Sequence, residues 1–125
     1  MTVGHHPRAL VIEDERDILD LLQGHLRRLG YWVSGAQTGE RGLDLAMTDP
    51  PDVVLVDIRL PGIDGREVIR RLRTDRRTDH CRIVVCSVLD PGDLADIDAD
   101  AVLSKPFGRS ALARVIKRVT SREEL

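Results

Sequence analysis

Four short apolar runs in this chain carry no polar alternation: Ala9-Leu10-Val11-Ile12, Val53-Val54-Leu55-Val56, Ile83-Val84-Val85-Cys86 and Ala101-Val102-Leu103. A strand with one wet face alternates apolar and polar residues. Unbroken, β-branched runs of this length instead predict strands buried on both faces, as in a parallel sheet. Tyr31-Trp32-Val33-Ser34 is shorter and more polar and fits a strand near the sheet edge. Helical spacing fills the intervals. Leu19, Leu22, Leu26 and Leu29 predict one helix, and Leu112, Val115, Ile116 and Val119 another. Two more are expected near 38–48, with Leu43, Ala46 and Met47 inward, and near 65–74, with Val68, Ile69 and Leu72 inward. At the start of the latter, Asp64 can cap and Glu67 can complete a capping-box-like pair. A short helix, fourth in chain order, is expected at 91–98, with Asp90 as N-cap and Pro91 as its first residue.

Five strands alternating with helices over short connections require right-handed crossovers and cover on both sheet faces. The fold class is therefore α/β, a single doubly wound five-stranded parallel sheet with helices on both faces. No linker, low-complexity tract or long repeat divides the chain, and the tandem Arg73-Thr74-Asp75 and Arg77-Thr78-Asp79 reads as a charged loop. One domain is expected over 1–125, with a core of about 8–119 and flexible ends at 1–7 and 120–125.

Composition narrows the function classes. The 19 cations are 17 Arg and 2 Lys against 21 acidic residues, so the net charge of −2 disfavours a general nucleic-acid or membrane-surface module. No apolar run approaches the roughly 18 residues that span a bilayer, and Met1-Thr2-Val3-Gly4-His5-His6-Pro7 lacks a signal-peptide stretch, so a cytoplasmic location is expected. Cys81 and Cys86 can build neither a disulfide framework nor a four-cysteine metal site. Tyr31, Trp32 and Phe107 are too few to stack single-stranded nucleic acid.

In an open α/β sheet, ligands bind beyond the carboxyl ends of the strands. The first run ends in Glu13-Asp14-Glu15, the third strand in Asp57, the fourth in Ser87 and the fifth in Ser104-Lys105-Pro106. With the first and third strands adjacent, Glu13, Asp14 and Asp57 crowd one crevice. Such carboxylates stay ionised together only around a cation, and an all-oxygen set of few protein ligands suits Mg2+. Lys105 then completes an anion-binding pocket, and phosphoryl handling with a carboxylate as nucleophile follows. Singly, each residue has a structural reading as a cap, a strand terminus or a solvated lysine. Their coincidence at one sheet edge does not.

Those residues resemble the receiver domain of two-component response regulators from about Arg8 to Val119. The resemblance rests on Leu10-Val11-Ile12-Glu13-Asp14-Glu15, on Asp52 through Gly65 around Asp57, on Ile83-Val84-Val85-Cys86-Ser87 and on Ser104-Lys105-Pro106-Phe107. It implies a flavodoxin-like strand order of 2-1-3-4-5. It also implies Asp57 as phosphoacceptor, Lys105 and Ser87 as its catalytic partners, and Mg2+ held by Asp14, Asp57, the backbone carbonyl of Arg59 and, mostly through water, Glu13. A sensor histidine kinase or phosphotransfer protein would supply the phosphoryl group. The domain would act on nothing but itself, and a downstream effector would read the change, with no direct nucleic-acid or membrane contact. A homodimer through the face of the fourth helix, fifth strand and fifth helix is the family's usual pairing.

Three departures bear on the switch region of Ser87, Val88 and Val102. Val102 stands where the family usually carries Tyr or Phe. The interval from Ser87 to Lys105 is short by about one turn, which truncates the fourth helix and weakens the usual output and dimer face. Val88 places a branched side chain where a smaller one is common, so slow self-dephosphorylation and slow uptake from small donors are expected.

The Arg66, Arg70, Arg71, Arg73, Arg76 and Arg77 stretch is read as a solvated helix face, His5, His6, His25 and His80 as surface residues, and Cys86 as a buried filler. After Val119 only six residues remain, so no output domain is expected within this chain. Two rivals stand beside the phosphoacceptor reading: a constitutive, phosphorylation-independent interaction module, and a phosphatase with an aspartyl intermediate. The second lacks a general acid, since Arg59 sits where one would be needed.

Overall fold

The computed structural model describes residues 6–89 and 91–121. Five parallel strands, β1 Arg8–Ile12, β2 Trp32–Ala36, β3 Val53–Asp57, β4 Arg82–Ser87 and β5 Ala101–Ser104, form one sheet in the order β2-β1-β3-β4-β5. Helices α1 Arg16–Arg28, α2 Gly39–Thr48, α3 Gly65–Thr74 and α4 Arg109–Thr120 alternate with them. Both the doubly wound class and the strand order agree with the sequence reading.

The unbroken apolar runs split by alternation into two layers. Ala9, Val11, Val53, Leu55, Val84 and Cys86 meet α1 and α4, while Leu10, Ile12, Val54, Val56, Ile83 and Val85 meet α2 and α3. β1, β3 and β4 are buried on both faces and β2 lies at an edge with Trp32 exposed, as their compositions require. Every helix turns an apolar stripe inward. Among the described residues no helix is long and apolar enough to cross a membrane.

Local details correct several expectations. Leu29 is 43% exposed rather than inward, because α1 ends at Arg28. Gly30 follows with φ +99°, and the Tyr31 N–H to Leu26 carbonyl and Gly30 N–H to Arg27 carbonyl bonds close the helix. Asp64 caps α3 by accepting from the Glu67 N–H at 3.1 Å, but the reciprocal half of the capping box is not formed. The Glu67 carboxylate turns forward instead, to Arg70 Nη2 at 2.5 Å and Arg71 Nε at 2.7 Å.

The largest correction is at 91–98, where a single 3-10 turn, Pro91–Leu94, replaces the expected helix. β5 begins opposite Val84, so the connection retraces only about 10 Å of β4, and Gly92, Asp93, Asp96 and Asp98, all weak helix formers, let it turn rather than wind into a full helix. Arg66 holds it with two bonds to Asp96, at 2.7 and 3.0 Å, and Leu94 anchors it in the α2–α3 layer. Asp90, the expected cap, lies outside the described residues, as do 1–5 and 122–125. Regular contacts extend past the expected 8–119 core: the Pro7 carbonyl accepts from the Trp32 N–H, and Thr120 closes α4.

Candidate functional site

The polar strand ends meet at the carboxyl edge of the sheet. β1 and β3 are adjacent in register, so Glu13 and Asp14 emerge beside Asp57. Ser87 follows Cys86, the β4 partner of Asp57, and pairs with Ser104, the residue before Lys105. One carboxylate oxygen each from Glu13, Asp14 and Asp57 lies within 4.8 Å of the others. Glu13 is 1% and Asp57 8% exposed, whereas Asp14 faces solvent.

Lys105 stands between the two buried carboxylates, its Nζ donating to Glu13 Oε1 and Asp57 Oδ2 at 2.9 Å each. Burial acts against its ammonium, but the bonds to Glu13 and Asp57 and their charges outweigh this and hold its pKa above the ordinary lysine value. Burial likewise raises Glu13, with the charge of Asp57 acting in the same direction and the bonds from Lys105 and the Glu15 N–H against it. Two near-buried carboxylates with one ammonium leave a negative excess, which Asp14 enlarges.

Backbone donors fix the carboxylates. The Arg59 N–H donates to Asp57 Oδ1 at 3.1 Å, and the Glu15 N–H to Glu13 Oε2 at 3.1 Å. Ser87 is buried, and its Oγ accepts from the Leu89 N–H at 3.0 Å. Its carbonyl accepts from the Lys105 N–H at 2.8 Å, so the hydroxyl strand and the lysine strand are tied together at the site. Val88 is 60% exposed and lines an apolar cleft of about 340 Å3 beside Lys105, with Leu21, Pro106 and Phe107. Val102 is half-buried against the α2–α3 layer.

The expected residues thus gather at one edge, while Val102 stands apart in the layer below. Sequence reasoning missed two supports. Gln37 Nε2 donates to the Asp14 carbonyl at 3.0 Å; it follows β2, the one strand whose terminus was not inspected. Gly65 is required because a Cβ there would lie 2.3 Å from the Asp57 carbonyl oxygen. Only the packing of α3 on the end of β3 shows that constraint.

An all-oxygen cluster with excess negative charge fits a hard divalent cation such as Mg2+. A sheet of this order with acid, hydroxyl and lysine at its carboxyl edge is the arrangement expected of a receiver domain. The chain belongs to the response regulator receiver domain family, whose sequence profile matches residues 9–117. It is 39% identical over 114 residues to the DNA-binding dual master transcriptional regulator RpaA of Synechocystis sp., covering 87% of this chain and 47% of that protein. The chain spans about half the length of the curated relatives it matches. A putative response regulator from Chloroflexus aurantiacus is 28% identical with a TM-score of 0.85, covering 92% of this chain and 98% of that one. The receiver domain of sensor histidine kinase PA1611 from Pseudomonas aeruginosa is 26% identical with a TM-score of 0.83, covering 91% and 97%; its structure holds a magnesium ion in the active-site cleft.

Proposed function

We propose that this chain is a phosphoacceptor receiver: Asp57 takes a phosphoryl group from the phosphohistidine of a sensor histidine kinase or phosphotransfer protein, and the change alters contacts with an effector protein. The observation that carries this reading is Lys105 Nζ at 2.9 Å from both Asp57 Oδ2 and Glu13 Oε1, beside the cluster with Asp14. Residues 8–119 form the working core of one domain in a cytoplasmic protein.

Asp57 attacks through a carboxylate oxygen in line with the donor's P–N bond, which breaks as the O–P bond forms; the electron pair leaves with the imidazole nitrogen. The Arg59 N–H on Oδ1 orients the nucleophile, leaving Oδ2 on the side of Lys105. As charge passes to the phosphoryl oxygens, Lys105 exchanges its Asp57 bond for one of them. Ser87 turns its hydroxyl from the Leu89 N–H to another, releasing the start of the segment that leads to the 3-10 turn. Bound through Glu13, Asp14, Asp57 and the Arg59 carbonyl, Mg2+ would neutralise the carboxylates and the incoming phosphoryl oxygens. The chain catalyses only its own phosphorylation and slow dephosphorylation.

The constitutive rival draws on Val102 and on the missing fourth helix, the parts a usual switch would move. Incubation with Mg2+ and acetyl phosphate, and then with phosphorylated kinases, separates the readings by intact mass. One base-labile phosphoryl adduct that is absent from Asp57→Asn is expected. No adduct from any donor, with Mg2+ still bound, would establish the constitutive module.

A further inference from the structure

The cations of α3 and α4 are partnered differently. On α3 and the loop after it, Arg66 pairs with Asp96, Arg70 and Arg71 with Glu67, Arg73 with Asp100 and Arg77 with Asp75, and of that stretch Arg76 alone has no ion pair among the described residues. α4 is different: Arg109, Arg114, Lys117 and Arg118 are all exposed, the helix contains no acid, and among the described residues none of the four has a carboxylate within ion-pair reach.

Lys117 and Arg118 suit the negative end of the helix, but at its start and middle this arrangement works against the helix that carries it. Arg109 opens α4 where the macrodipole disfavours a cation, over a Gly108 N-cap that gives no side-chain bond. Arg114 repels Lys117 and Arg118 at the i+3 and i+4 positions. The stripe of Leu112, Ile116 and Val119 holds the helix in spite of it. Local choices that oppose the fold without a compensating gain within it are expected where a surface is shaped for something else.

Beside these cations, a groove of about 320 Å3 runs between the end of α1 and the start of α4. Its rim is His25, Arg28 and Arg109, its apolar part Leu29 and Ala113, and no acidic residue lines it. Arg28 Nη1 lies 3.2 Å from His25 Nδ1 within α1, and Arg109 of α4 lines the same groove. Burial and the charges of Arg28 and Arg109 push the His25 pKa down.

We propose that this groove and the adjoining face of α4 dock an acidic segment of a partner protein, with carboxylates on Arg28, Arg109 and Lys117 and one apolar side chain against Leu29 and Ala113. Charge complementarity selects the occupant's sign, and the apolar floor selects a peptide over a bare polyanion. A duplex would meet an otherwise net acidic chain. A membrane surface would find one large exposed apolar residue, Leu29, where interfacial helices present a whole apolar face.

The test is fluorescence anisotropy of a labelled glutamate-rich helical peptide with one central leucine, titrated with the full chain at low and physiological salt. Saturable binding is expected, weakened by about tenfold or more in Arg109→Glu/Lys117→Glu and unchanged in Arg70→Glu/Arg71→Glu. Far-UV circular dichroism checks the fold, and Arg109→Gln/Lys117→Gln serves if the reversal misfolds. Absence of peptide binding overturns the proposal, as does equal weakening by the α3 control. Preferential binding of a labelled duplex or of phosphatidylserine vesicles overturns the choice of occupant, and so does salt-sensitive self-association abolished by the α4 variant.

Discussion

At the residue scale, Lys105 is the counter-charge of a site that would otherwise repel itself. Its removal leaves Glu13 and Asp57 facing each other near-buried with no ammonium between them. Lys105→Ala is expected to cost about 3 kcal/mol in urea unfolding without divalent cation. Added Mg2+ should restore part of that loss, since a cation binding the folded site stabilises it by mass action. An unchanged urea midpoint would contradict the central role of the lysine. Cys86 shows the opposite use of burial. Its thiol is pushed up to about 12 and that of Cys81 to about 11, each chiefly by burial, which disfavours the thiolate. Maleimide labelling of the native chain should therefore be negligible at pH 7. It should become complete for both cysteines in guanidinium chloride.

At the element scale, the junction of β3 and α3 positions Asp57. The Gly65 N–H donates to the Ile58 carbonyl at 2.9 Å, and the helix approaches so closely that a methyl group would strike the Asp57 backbone. Gly65→Ala is expected to destabilise the fold by about 2 kcal/mol or more, because backbone rather than a movable side chain must give way. Chemical denaturation measures the loss. Phosphoryl uptake, followed by intact mass, should fall further than stability alone explains, since Asp57 shifts with its own carbonyl. The segment before β5 illustrates the other extreme. Rich in Gly and Asp, it makes one 3-10 turn, held by the charge clamp of Arg66 on Asp96 and by Leu94, and the surface it presents differs from that of a longer helix.

At the scale of the whole molecule, one sheet serves two apolar layers, so neither layer can melt without exposing the other face of the same strands. Leu112 belongs to the α1–α4 layer and Leu72 to the α2–α3 layer, and both are fully buried. Each change to Ala is expected to cost about 3 kcal/mol. The double variant should lose close to the sum while keeping a single transition in urea followed by circular dichroism and by Trp32 fluorescence. Two separated transitions would show that the layers fold independently.

The sequence by itself determined the β-α alternation, the two-sided burial of β1, β3 and β4 and the polar strand ends, because each is written in local periodicity and in the residue that ends each run. Glu13, Asp14, Asp57, Ser87 and Lys105 were legible for that reason. Tertiary structure decided what depends on approach and distance. The Asp57 carbonyl excludes any Cβ at Gly65, and Gln37 reaches the Asp14 turn from a neighbouring strand. Glu67 turns to its arginines rather than back to the cap, and 91–98 settles into one 3-10 turn clamped by Arg66 on Asp96. Pairing of charges is likewise invisible in one dimension: α3 and α4 carry four cations each, and among the described residues those of α3 are paired with carboxylates and those of α4 are not. Local periodicity records which side of an element is buried, whereas contacts between elements depend on three-dimensional distance.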